Sequence, residues 1–305
     1  MQRSDESKFL LLENLHHKKS SFFVIFILVL SLLGCSNSSE IVLSDPLPSS
    51  EFKNIPYGND PLQKYDIFLP AERVKATTKV FVLVHGGGWI SGDKSDLQTF
   101  VDFLKIQFPS YAVVNINYQL ASIGKSPFPM QIDDIEKVIS DIKSKADDYQ
   151  ISNQFGFLGI SAGAHLSMLY SYAYDEMSEV EMVCSIVGPT NFTDENYSNS
   201  NDPDFIENFE LMESITGIKF ESNMEFYESV SPYHVVDQEA PPTILFYGGQ
   251  DPLIPTSQGV LMHDKLDELG VINEFTLYEN EGHGWVGLSL IDTFTKLNGF
   301  ILTHF

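Results

Sequence analysis

The stretch Gln154–Leu166, reading Q-F-G-F-L-G-I-S-A-G-A-H-L, constrains this chain more than any other. Phe155 to Ile160 is an apolar run of strand length, and helix-forming Ala, His, Leu and Met follow at once. Their junction is Gly159-Ile160-Ser161-Ala162-Gly163, a G-x-S-x-G pattern. A strand turning directly into a helix there forces Ser161 into a strained backbone conformation, with its hydroxyl raised above the sheet edge. The flanking glycines lack the Cβ atoms that would clash as the chain doubles back. The Ala162 amide then opens a helix, where unpaired N–H groups favour negative charge. The bare pattern arises by accident on the order of once in ten chains of this size. A nucleophile therefore needs a base, an orienting acid and oxyanion donors from elsewhere in the chain.

The remaining pattern says what surrounds this junction. Phe52–Tyr57 and Lys64–Leu69 flank a Gly-Asn-Asp-Pro turn and predict a hairpin. Lys79–Val84 is a continuous β-branched and aromatic run, as expected of a strand covered on both faces. Further strands are expected at Tyr111–Tyr118, around Cys184, at Thr243–Tyr247 and at Glu274–Tyr278. Helices are expected at Leu97–Gln107, along the Ile132, Ile135, Ile139, Ile142 stripe, at Val260–Leu269 and at Leu290–Leu302. This alternation predicts an α/β fold, a mostly parallel central sheet with helices on both faces. Residues 190–233 break the rhythm with weakly helical, Asn- and Glu-rich sequence, and read as a small cap insertion too short for a core of its own.

The N-terminus belongs to a different category. Phe22 to Leu33 is an apolar segment too short to span a bilayer, preceded by His16-His17-Lys18-Lys19. Leu32-Leu33-Gly34-Cys35 follows, and it resembles the lipobox of bacterial lipoprotein signal peptides. That resemblance implies cleavage after residue 34, lipid on Cys35 and a place in the cell envelope, at the outer membrane if the cell is Gram-negative. The expected organisation is a signal peptide over 1–34, a polar Pro-containing tether over 35–50, and a catalytic domain over 51–305. The second cysteine, Cys184, sits in an apolar run and reads as a small core residue. No Cys/His spacing suggests a metal, and no cofactor is expected. A net charge of −24 disfavours nucleic acid as a partner, so membrane attachment would come from the lipid alone.

Functional groups of open α/β sheets gather at the carboxyl ends of the strands, and three further segments fall there. His85-Gly86-Gly87-Gly88-Trp89 follows the Val84 strand, its glycines leaving backbone amides open to a reacting oxygen. Gly248-Gly249-Gln250-Asp251 follows Tyr247 and offers a carboxylate to orient an imidazole. Glu281-Gly282-His283-Gly284-Trp285 follows the last strand, with a histidine whose unperturbed pKa near 6.5 suits proton transfer. Ser, Asp, His is the chain order of one of the three familiar serine triads.

These motifs, with Gly92-Asp93-Lys94 and Phe128-Pro129-Met130-Gln131, give the chain its resemblance to a family. It resembles α/β-hydrolase esterases with an H-G-G-G oxyanion motif, in particular the carboxylesterase and feruloyl-esterase-like members. The likeness runs from about Phe52 to Phe305. It implies Ser161 as nucleophile, His283 as base, Asp251 as its partner, and Gly87, Gly88 and Ala162 as oxyanion amides. The expected substrate is a small-molecule or carbohydrate ester, either a short-acyl ester or one linked to a carbohydrate. Amide or peptide hydrolysis on the same triad, as in kynurenine formamidases, is the alternative; a silent binding protein on a hydrolase frame is a third. Two positions depart from the pattern: Gln119 stands where relatives commonly carry Arg, and Tyr247 where a His often precedes the glycine.

Several conspicuous residues read as structural. Asp93 and Asp133 are expected to cap or anchor helices, His85 to hold its loop, and His165 to pack beneath the serine turn. Trp89 and Trp285 are expected to pack, and Met168, Tyr170, Tyr172 and Tyr174 to form a core helix. Asn191 and Asn196 match glycosylation acceptors that a bacterial lipoprotein would leave bare.

Overall fold

Alternating side chains on two buried strands set the layering. Val80, Val82 and Val84 point into one apolar cluster, Phe81 and Leu83 into another on the opposite face. In a computed structural model, residues 46–305 except 199 and 201 are described. The segment expected to be a signal peptide, the expected lipidation site Cys35 and the first part of the expected tether lie outside the described residues.

The strands are β1 (Ser50–Pro56), β2 (Lys64–Leu69), β3 (Val80–Val84), β4 (Ala112–Ile116), β5 (Phe155–Ile160), β6 (Val180–Ile186), β7 (Thr243–Gly248) and β8 (Asn273–Tyr278). They form one sheet in the order β1-β2-β4-β3-β5-β6-β7-β8. The expected hairpin pairs β1 with β2, and β2 runs antiparallel to β4; every other pairing is parallel.

The helices are α1 (Gln98–Gln107), α2 (Met130–Ser144), α3 (Ala146–Tyr149), α4 (Ala162–Ala173), α5 (Glu195–Ser198), α6 (Pro203–Thr216), α7 (Met224–Ser229), α8 (Pro232–Val235), α9 (Ser257–Leu269) and α10 (Leu288–His304). One sheet face is covered by α2, α4 and α9, whose Ile135, Leu166 and Met262 share a cluster with Val82. The other face is covered by α1 and α10, whose Leu104 and Phe300 pack with Phe81. Strands buried on both faces hide nearly all of their apolar surface from water, which is why their sequences are continuous rather than alternating. Gly270, in the left-handed region at φ +73°, closes α9 where a helix end favours glycine.

Four helices, α5 to α8, fill the connection between β6 and β7. Phe209, Met212 and Tyr227 of this connection join the same buried cluster as α4 rather than forming one of their own. Among the described residues no helix is long and apolar enough to cross a membrane.

Two expectations are corrected. Tyr174 is 41% exposed, because it is the C-cap residue just past the end of α4 at Ala173. Asp133 faces solvent and makes no cap; its neighbour Asp134 is the buried carboxylate, accepting hydrogen bonds from Gln63 Nε2 at 2.7 Å and Gln119 N at 2.9 Å.

Candidate active site

The turn from β5 into α4 puts Ser161 at φ 54°, ψ −123°, a conformation that costs a non-glycine residue energy and persists because its surroundings impose it. Ser161 N donates to Ile186 O of β6 at 2.8 Å, and Ser161 O accepts from His165 N at 3.0 Å. The glycines make this turn possible by close approach. A Cβ on Gly159 would lie 2.3 Å from Gly163 O, and one on Gly163 would lie 2.1 Å from Val84 O.

The loop after β3 lies directly against this serine. A Cβ on Gly86 would come 2.9 Å from Ile160 O and 3.1 Å from Ser161 Cβ. Gly87 and Gly88 follow at φ +113° and +58°. Among the described residues, the amides of Gly87, Gly88 and Ala162 donate to no other backbone carbonyl. Three donors of this kind beside one hydroxyl suit an oxygen that gains negative charge.

The other two loops are held together through their backbones. A Cβ on Gly248, at the end of β7, would lie 2.1 Å from Gly282 O, and Gln250 N donates to Glu281 O at 2.8 Å. Asp251 is buried, and its Oδ1 accepts from Leu253 N at 2.8 Å and Ile254 N at 3.1 Å. Its Oδ2 stands 2.8 Å from His283 Nδ1, and His283 Nε2 stands 2.9 Å from Ser161 Oγ. A carboxylate only accepts, so it fixes the proton on Nδ1 and leaves the Nε2 lone pair facing the serine hydroxyl. The three residues singled out in the sequence are thus brought into one hydrogen-bonded series.

A pocket of about 390 Å³ opens on this series, lined by Gly87, Gly88, Leu97, Ile160, Leu253 and His283. A second hollow of about 330 Å³, between α2 and the end of α4, is lined by Glu136, Lys143, Asp175 and Glu179, with no serine or cysteine among its lining residues.

Over residues 65–266 the sequence matches the family model described as BD-FAE. The chain belongs to the BD-FAE family. It is 25% identical over 219 residues to "Esterase LipC" of Mycobacterium tuberculosis, covering 68% of this chain and 52% of that protein. It spans about half the length of the curated relatives it matches. Among solved structures it resembles a bifunctional GH43-CE protein of Bacteroides eggerthii, with TM-score 0.68, 24% identity, and 83% and 38% of the two chains covered. It also resembles a truncated carbohydrate esterase from gut microbiota, with TM-score 0.65, 21% identity, and 84% and 99% covered. The α/β-hydrolase fold expected from the motifs is therefore the fold of this BD-FAE chain.

Other residues of the BD-FAE chain take supporting places. Burial pushes the His85 imidazole down, against the pull of the Gly86 carbonyl 2.7 Å from Nδ1. Burial pushes fully buried His165 down to about 4, its Nε2 donating to Val230 O at 2.7 Å. Burial raises the Asp93 carboxyl, but hydrogen bonds from Asn117 and Ser95 outweigh that and hold it at about 2, where it caps the short 3₁₀ turn Lys94–Leu97. Trp89 packs against Phe128, His165 and Phe192, and Trp285 Nε1 donates to Thr293 Oγ1 at 2.8 Å. At the departing positions, Gln119 serves Asp134, and the Tyr247 hydroxyl donates to Gly188 O. Cys184 is a free, buried thiol, and Asn191 is buried, turned onto Thr193. Sequence reasoning missed Asp134 and the short helices α3, α5 and α8. The signal available for Asp134 was the helical period, which sets it closer than Asp133 to the Ile132, Ile135, Ile139, Ile142 stripe.

Proposed function

We propose that this chain hydrolyses carboxylic esters through an acyl-enzyme on Ser161. The observation that carries the reading is the hydrogen-bonded series Ser161, His283, Asp251, assembled from three loops far apart in sequence. His283 Nε2 takes the Ser161 proton as Oγ bonds to the acyl carbon. The amides of Gly87, Gly88 and Ala162 hold the resulting oxyanion. Asp251 steadies the imidazolium, which then gives its proton to the leaving alcohol oxygen. Water, deprotonated by the same imidazole, attacks the acyl carbon and releases the acid and the free serine.

The pocket's apolar wall, Leu97, Ile160 and Leu253, and its small volume suit a short acyl group, with the alcohol lying toward solvent. Relatives named as esterases, and a similar structure titled a carbohydrate esterase, support an ester, including one carried on a sugar. The test is hydrolysis of p-nitrophenyl acetate, butyrate and octanoate, a feruloyl ester, an aryl amide and N-formylkynurenine. Acetate and butyrate are expected to be cleaved fastest, and Ser161→Ala to lower kcat by roughly 10⁶. Equal hydrolysis by both proteins would remove Ser161 from the reaction, and preference for the amides would change the substrate class.

A further inference from the structure

Two sequence motifs, Asn117–Leu120 and Phe128–Gln131, take no part in the chemistry just described, yet both end on the glycine loop. We propose that Tyr118 and Gln131 are positioning residues that clamp the two ends of the loop His85–Trp89, fixing the Gly87 and Gly88 amides over Ser161. The inference rests on reading those amides as oxyanion donors.

The clamp at the loop's entrance is a phenol. Tyr118 is fully buried, its hydroxyl donates to His85 O at 2.7 Å, and its ring stacks on the His85 imidazole with centroids 4.3 Å apart and planes 12° apart. Burial pushes the phenol far up, so it keeps its proton and donates. The clamp at the exit is an amide. Gln131 Nε2 donates to Trp89 O at 2.8 Å and to Gln119 O at 2.8 Å, while Ala121 N donates to Trp89 O at 2.9 Å. Trp89 itself sits at φ +64°, a conformation that a bulky residue keeps only when something holds it. Between these two anchored carbonyls lie three glycines with no side chains of their own. Within the loop, Gly86 O meets His85 Nδ1 at 2.7 Å and Gly87 O accepts from Ser91 N at 2.9 Å, so the clamps at the ends hold a turn that is also bonded to itself.

The clamping residues are themselves anchored. Gln119 N donates to the buried Asp134 carboxylate, and Asn117 binds Asp93 Oδ2 at 2.7 Å and Lys94 N at 2.6 Å, securing the chain beyond the loop. Stability alone gives a poor account of Gln131. It is wholly buried, and among the described residues its Oε1 meets no hydrogen-bond donor, which costs free energy in any fold. Oxyanion donors, by contrast, act only when preorganised, and a displacement of about 1 Å costs on the order of 10² in rate.

The experiment compares the full chain with Tyr118→Phe and Gln131→Met. It measures kcat and KM on p-nitrophenyl butyrate, inhibition by an alkyl trifluoromethyl ketone (a mimic of the tetrahedral anion), melting temperature, and amide hydrogen exchange over residues 85–91. Each variant is expected to lose at least tenfold in kcat with KM within twofold. Affinity for the ketone should fall by a similar factor and exchange over 85–91 should accelerate, while Gln131→Met melts within a few degrees of the parent. Unchanged kcat and exchange would overturn the proposal. So would a Gln131→Met protein whose only change is a lower melting temperature. If the parent hydrolyses no ester, the reading of the site has failed, and the exchange rates still decide whether the clamp exists.

Discussion

Gly163 and Gly299 both lie in helices, yet the same substitution should act oppositely at the two. Gly163 is where α4 meets the end of β3: a Cβ there would stand 2.1 Å from Val84 O and 2.3 Å from His85 O, both backbone atoms that cannot turn aside. Gly163→Ala is expected to cost ~3 kcal/mol or more, since the helix must move off the strand. Gly299 sits exposed in α10 with nothing within 4 Å of its Cβ position. Gly299→Ala is expected to stabilise by about 0.5–1 kcal/mol by restricting the unfolded chain. Urea titrations of the two proteins check both signs, and a stabilised Gly163→Ala would contradict the close approach. Only the first of these glycines was legible in the sequence, because its neighbours form a pattern. Residue type likewise does not separate Asp133 from Asp134, whose surroundings are opposite; only their places on the helical period do.

At the scale of elements, His165 joins α4 to the helical connection between β6 and β7 through the Val230 carbonyl. The strands and long helices were readable because each carries its own period. The connection was readable only as weak helix, because α5, α7 and α8 are four to six residues long and owe their form to the contacts they make. Their attachment has a pH signature. Burial pushes His165 down to about 4, against about 6.5 when unfolded, so the unfolded chain binds the extra proton between those values. Its contribution is intact above pH 6.5 and falls by roughly 3 kcal/mol on the way to pH 4. His85 shifts in the same direction. Asp93, held at about 2, gives up its share only below the ordinary carboxylate range, outside this window. Urea midpoints between pH 7.5 and 4.5 should therefore decline, and His165→Gln should flatten the decline. Parallel curves for the two proteins would show that this histidine does not set the slope.

Across the whole molecule, 42 acidic residues stand against 18 basic ones, and this imbalance acts on the fold and the site together. Pairs such as Lys75 with Asp147 and Lys296 with Asp292 are substantially exposed, and each contributes less than about 1 kcal/mol. Repulsion among the unpaired carboxylates is long-ranged and is screened once the Debye length falls to about 10 Å near 0.1 M salt. Because screening weakens the many repulsions more than the few pairs, melting temperature should rise by several degrees between 10 and 300 mM sodium chloride. The same field meets an approaching substrate. An ester with a charged succinyl acyl group should show a KM that falls with added salt, whereas neutral butyrate should show none of that dependence. A melting temperature that drops with salt would mean that attraction within the ion pairs outweighs the summed repulsion. Equal salt responses for the two esters would mean that the pocket mouth is shielded from the charge of the rest of the chain.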